Sequence, residues 1–297
     1  MSRINLYEEE FHPSPLQHTW MEFKRSHIAV LGLWVFIFFL LLVIIGPLIA
    51  PFDPLLQNMQ AFTVPPAWES NGGIRHLFGT DSLGRDILSR LIYGCRMTLG
   101  ISLLLVLVAM LVGVALGAVA GMSKGLRSSV LNHLLDSLMA IPTLLIAIVI
   151  VAILGIGLVN SMWAIALALI PQFVHNTREF VREEIRKDYV TAARLDGAGK
   201  SHLFFNSVLP NMVEMLVVQG TMALSIAILD ISALGFLSLG AQSPLPELGT
   251  MLSDGLKDAY QSPWSIALPG LAIFLMVLSV NIVGDGLRSA LRNRMRH

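Results

Sequence analysis

The sequence predicts an all-α polytopic membrane protein with six transmembrane helices and both termini in the cytoplasm. Three observations carry this. Of the 297 residues, 55% are hydrophobic and only 13% are charged, whereas a soluble domain has roughly a quarter of its residues charged. Long charge-free runs recur along the chain, and a membrane span needs about 20 mostly apolar residues. With the N-terminus inside, fifteen Lys and Arg fall in inner segments and five in outer ones, the positive-inside pattern.

The polar residues 1–27 contain Glu8, Glu9, Glu10 and Glu22, and the following apolar run, Ile28–Ala50, is 23 residues long. A cleaved signal has a basic start and an apolar run of about 7–15 residues, so 28–50 is expected to stay as the first span. Phe23-Lys24-Arg25 suits a cytoplasmic anchor. Residues 51–98 are the outer, periplasmic segment. Pro51, Pro54, Pro65, Pro66, Gly72 and Gly73 argue against regular helix in its first half. Apolar residues at 87, 88, 91 and 92 then suggest an amphipathic helix feeding the second span, capped by Asp81 or Ser82.

The second span is read at 99–122. Gly113, Gly117 and Gly121 make one small face on it, which favours close helix packing in lipid, against this chain or another. A short inner turn with Lys124 and Arg127 follows. Ser137 to His175 carries no charge over 39 residues, enough for two spans, 137–155 and 158–175, hinged at Gly155-Ile156-Gly157. Pro171 is expected to bend the second of these. The fifth span, 215–239, holds a single charge, Asp230. An acid at that depth costs about 2.5–3.5 kcal/mol on insertion scales. It either faces a pathway or is bonded to a polar neighbour, and both readings stay open. A proline-containing outer loop, 240–263, leads to the sixth span, 264–284. Arg288, Arg292, Arg294 and Arg296 form a basic tail, 288–297, read as cytoplasmic. The chain therefore divides into an N-terminal segment, 1–98, and a five-helix core, 99–287.

Between the fourth and fifth spans lies a polar loop, 176–214, with six of the twenty basic residues. Phe180, Val181, Ile185, Tyr189, Ala192 and Ala193 recur at helical steps over 177–195. Gly197 and Gly199 stand where a helix stop favours positive φ. Leu203-Phe204-Phe205 begins a second amphipathic piece, and Leu209-Pro210 can open the next helix. The loop thus reads as helix, glycine turn and short helix. Ala192 and Ala193 are small enough for another surface to approach closely. The plain alternative is an interfacial hairpin with no partner.

The composition excludes several classes. Net charge is zero, so there is no nucleic-acid footprint. Cys95 is alone, which excludes an internal disulfide and a cysteine zinc site. His133 beside Asp136 reads as an interfacial pair, and no metal site is expected. Gly199-Lys200-Ser201 ends like a phosphate-binding loop, but position 194 is Arg instead of Gly and a helical pattern precedes it. No bound cofactor is expected. No intramembrane catalytic pattern stands out, so the chain is not read as an enzyme. A secondary transporter or channel would favour several mid-span polar residues, and one acid is thin support.

The order Ala192-Ala193-x3-Gly197 … Leu209-Pro210 resembles the EAA motif of ABC importer permeases, with Thr191 where the motif's Glu stands. The segment Phe78-Gly79-Thr80-Asp81-Ser82-Leu83-Gly84-Arg85-Asp86 resembles the Dpp/Opp peptide permeases of the C type. So do 132–142 and the single span placed ahead of a five-span core. The run 229–242 is most similar to the Sap branch, with Asp230 where Dpp and Opp members usually carry Glu. The resemblance implies a type I importer permease fold in a bacterial inner membrane. It implies a second permease, two cytoplasmic ATPase subunits that use the ATP, and a periplasmic peptide-binding protein. Ala192, Ala193, Gly197, Gly199, Leu209 and Pro210 would form the ATPase-coupling loop, and Asp230 would be a candidate pathway residue. Cationic antimicrobial peptides are the cargo associated with the Sap branch.

Overall fold

In a bilayer every backbone N–H and C=O needs a partner within the protein, and a helix supplies one locally. The charge-free runs fold accordingly in the structure, a computed structural model that describes residues 15–58, 61–69, 71–123, 133 and 135–294. Helix α1 (Pro15–Arg25) is followed by α2 (His27–Ile49), α3 (Ile87–Met122), α4 (Thr143–Leu154) and α5 (Leu158–Glu184). Then come α6 (Asp188–Leu195) and α7 (Lys200–Leu203), which passes through a π-helical turn (Phe204–Val208) into α8 (Leu209–Phe236). Helices α9 (Leu248–Leu256) and α10 (Trp264–Arg294) complete the described chain. Among the described residues there is no strand, only an isolated bridge between Thr80 and Asp86.

Among the described residues five helices are long and apolar enough to cross a membrane: α2, α3, α5, α7 with α8, and α10. The expected third span, 137–155, holds a 12-residue helix, α4. Pro142 stands at its N-cap and Gly155 ends it at a φ of 95°. Other bounds also move. Helix α3 begins at Ile87, so the expected lead-in helix and the second span are one element. Its cap is Asp86, which accepts from Ser89 N at 2.8 Å. Asp81 and Ser82 instead lie in a turn, where the Asp81 carboxylate binds the N–H groups of Leu83 and Arg85. Helix α5 runs through Pro171 to Glu184, nine residues beyond the expected end, because the span and the first turns of the polar loop share one apolar face. Glu8–Glu10, Lys124, Arg127, Asn132, Leu134 and Arg296 lie outside the described residues.

The glycine face on α3 meets α5 of the same chain. A β-carbon on Gly113 would fall 2.3 Å from Phe173 Cβ, one on Gly117 2.7 Å from Thr177 Cβ, and one on Gly121 2.8 Å from Val181 Cβ. Two steps of four residues on α3 thus match two on α5, and the backbones pack as closely as small residues permit. Gly32 on α2 likewise admits Ile282 of α10. The main core gathers Leu99 and Ala109 of α3, Ile165 and Leu169 of α5, Ile228 of α8 and Met276 of α10.

One end of the bundle carries the described residues of 50–86 and 237–263, and several of its charged groups are paired inside the chain. Arg85 Nε lies 2.7 Å from Asp81, and Arg85 and Arg90 reach Asp254 at 3.2 and 3.5 Å. His76 Nδ1 lies 2.9 Å from Asp86. Glu247 caps α9 through Thr250 N at 2.9 Å and accepts from Thr98 Oγ1 of α3 at 3.0 Å. Burial pushes the Glu247 carboxyl above its ordinary range, and these donors oppose the shift.

Candidate functional site

The opposite end carries the polar loop. Glu184, the last residue of α5, is almost fully buried at 3% exposure. Three residues farther along, Lys187 turns back to its carboxylate at 2.7 Å. Helix α6 starts at Asp188, so the helix expected over 177–195 is two helices with a break at 185–187. Neither glycine nor proline marks that break.

Tyr189, in the first turn of α6, donates from its hydroxyl to Glu184 Oε1 and also reaches Ser207 O at 3.2 Å. Asn211, in the first turn of α8, donates from Nδ2 to Tyr189 Oη at 2.8 Å, to Ser207 O at 3.0 Å and to Glu184 Oε1 at 3.2 Å. Glu184 therefore gathers α5, α6 and α8 on one carboxylate. Desolvation, then the bond to Glu184, push the Tyr189 phenol up to about 12 although the ring is 43% exposed. It remains a donor throughout the physiological pH range. Beneath this network Val181, Val208 and Met212 are fully buried in a small cluster of their own.

Ala192 is exposed and Ala193 half-buried on α6. Gly197 follows at a φ of 91°, a conformation that costs an L-residue about 1–2 kcal/mol. Gly199 precedes α7 with extended backbone. Neither glycine has any neighbour within 4 Å of an added β-carbon. Leu195 beside them is 85% exposed, and Phe205 is 61% exposed. Leu209 and Pro210 open α8 as expected, Leu209 half-buried and Pro210 exposed. Thr191 donates to Lys187 O within its own helix at 3.2 Å. The Gly199-Lys200-Ser201 run follows helix α6, not a strand.

Asp230 lies apart from the loop, 20 residues beyond Pro210 on α8, which is about 30 Å along a helix. It is 6% exposed, and its Oδ2 accepts from Thr143 Oγ1 at 2.9 Å. Asp136 faces His175 of α5 at 3.5 Å, and no group of metal-ligating side chains occurs among the described residues. Helical periodicity marks Tyr189 only as a helix-face residue and passes over Glu184 altogether. The one available signal was a Glu-to-Lys step of three residues in a helical stretch.

Comparison with known proteins adds the following. Residues 113–297 match the family described as binding-protein-dependent transport system inner membrane component. Residues 14–66 match the N-terminal TM domain of oligopeptide transport permease C. The chain is 48% identical over 283 residues to the dipeptide transport system permease protein DppC of Escherichia coli, covering 95% of this chain and 94% of the relative. It is 46% identical over 287 residues to the peptide transport system permease protein SapC of Salmonella typhimurium, covering 97% of each. With the di/tripeptide transport system permease protein DppC of Pseudomonas aeruginosa it shares 44% over 286 residues, 96% of this chain and 94% of the relative.

Proposed function

This chain belongs to the family of binding-protein-dependent transport system inner membrane components, and we propose that it couples peptide movement across the bacterial inner membrane to ATP hydrolysis on separate subunits. It is a permease of a peptide ABC transporter and not an enzyme. The observation that carries the coupling is the open glycine turn at Gly197 and Gly199 beside an 85% exposed Leu195. A large apolar side chain held out next to bare backbone, on a loop anchored at its base, suits docking into a groove of a cytoplasmic ATPase subunit. Ala192 and Ala193 would let that subunit approach α6. The complex then holds this chain, a second permease, two ATPases that bind the ATP, and a peptide-binding protein on the periplasmic side. Purification of the tagged chain from its native membrane in mild detergent is expected to recover two ATPase chains and the second permease in fixed proportion. Recovery of a folded chain alone would favour a secondary transporter or channel.

Peptide is the cargo class, and the Dpp-type and Sap-type relatives stand at near-equal identity. The finer reading is cationic peptide, including antimicrobial peptide, with Asp230 as its contact in the pathway. In support, Asp230 is a mid-span acid whose one bond given by the structure is to a neutral hydroxyl, that of Thr143. Asp230→Asn is expected to lower uptake of Lys- and Arg-containing peptides by about tenfold while neutral peptides change less than about twofold. Equal loss on both sets would assign Asp230 to packing between α4 and α8.

A further inference from the structure

We propose that Glu184 is the positioning residue of the coupling loop: its carboxylate joins the end of α5, the start of α6 and the start of α8, so that a push on α6 displaces both long helices together. The inference rests on the docking reading of the loop. It adds how a force applied to the loop enters the membrane part.

Helix α6 is eight residues long, and on its far side Gly197 and Gly199 face open space, held only by local backbone bonds to Arg194 O and from Leu203 N. A force on so short a helix would be lost in the flanking bends unless its base were tied. Three ties are present, all at one place. Tyr189 Oη and Asn211 Nδ2 both donate to Glu184 Oε1, and Lys187 Nζ lies 2.7 Å from Oε2. Asn211 also holds Tyr189 and Ser207 O, which closes a ring between α6 and α8. Hydrogen bonds to a charged acceptor are about twice as strong as neutral ones, and Glu184 is almost fully buried. Above the joint, α5 is locked to α3 along the glycine ladder of Gly113, Gly117 and Gly121. Displacement of Glu184 is thus delivered to α3, α5 and α8, three of the five long helices. Thr191 stands in the position of the motif's leading Glu, so the acid that organises this loop is placed seven residues earlier, on the membrane side of the break.

The test uses the whole complex reconstituted in vesicles, with ATP inside or outside as its ATPases require. Two quantities are read: ATP hydrolysed, and peptides of a labelled protein hydrolysate accumulated, counted by mass spectrometry. Ser201→Cys, on the exposed side of the turn, provides a third readout by cross-linking to the ATPase. The native Cys95 is buried and does not compete. Glu184→Ala is expected to cut peptide moved per ATP hydrolysed by about tenfold, with the cross-link retained. Glu184→Gln keeps an acceptor oxygen for Tyr189 and Asn211 and is expected to recover part of the loss. Tyr189→Phe removes one oxygen from a half-exposed ring and is expected to lower the same ratio by severalfold, which keeps the test decisive if the alanine variant fails to assemble. Transport and ATP hydrolysis falling in parallel, or an unchanged ratio in both variants, overturns the joint. Absence of the cross-link in the complex with Glu184 and Tyr189 intact overturns the docking reading and this inference with it.

Discussion

At one end of the bundle Arg85 and Arg90 are 1% and 2% exposed between Asp81 and Asp254, and a β-carbon on Gly249 would fall 1.9 Å from Ser232 O. At the other end a β-carbon added to Gly197 or Gly199 would meet nothing within 4 Å, and Leu195 is 85% exposed. Both ends are polar segments of one bundle, and α8 runs from one to the other. The first resolves its charges and close contacts within the chain, so its geometry is fixed by folding. The second fixes only its base, through Glu184, Tyr189 and Asn211, and leaves its tip for another surface. An ion pair between groups far apart in sequence is a device for holding, whereas an uncovered glycine turn is a device for being held.

That contrast breaks most readily at the first end. Arg85→Ala removes a buried cation and leaves Arg90 alone between Asp81 and Asp254, an expected loss of about 3 kcal/mol seen as a lower unfolding temperature of the detergent-purified chain. If unfolding is unaltered, the cluster does not hold the end together. Gly249→Ala presses a methyl into the backbone of α8 and is expected to cost about 2 kcal/mol by the same measurement. At the second end Gly197→Val imposes about 1–2 kcal/mol of local backbone strain. That strain lies in an exposed turn, so membrane insertion should be intact while transport is abolished. Normal transport by this variant would remove the coupling assignment. The smallest effect belongs to Gly199→Ala, under about 0.5 kcal/mol in the isolated chain, since its backbone is extended and its surroundings are open. A larger loss in the assembled complex than in the chain alone would sharpen the contrast by showing what covers the turn.

The sequence made the spans legible because charge is excluded from lipid, and it made the glycine turn legible because positive φ at 197 selects glycine. Other features follow from pairings it does not display. Arg85 takes its near neighbour Asp81, as a short sequence spacing suggests, but Arg85 and Arg90 also take Asp254 of α9, more than 160 residues away. Asp136 pairs with His175 where its neighbour His133 had been the expected partner. The charge-free run 137–175 divides at Pro142 as well as at Gly155, and counting apolar residues does not weigh a proline at a helix start. The break at 185–187 carries no glycine or proline, so one amphipathic pattern ran across two helices. It is made by Lys187 folding back on Glu184, a contact with meaning only once Asn211 is beside it.

The length of α5 has one more consequence. At 27 residues it extends about 40 Å, against about 30 Å of hydrocarbon. The excess is close to the depth of one headgroup layer, so the helix acts as a stalk that delivers the loop to open water. If the loop docks on a soluble subunit as proposed, that contact would be made clear of lipid and would respond to ionic strength and protein concentration more than to bilayer composition.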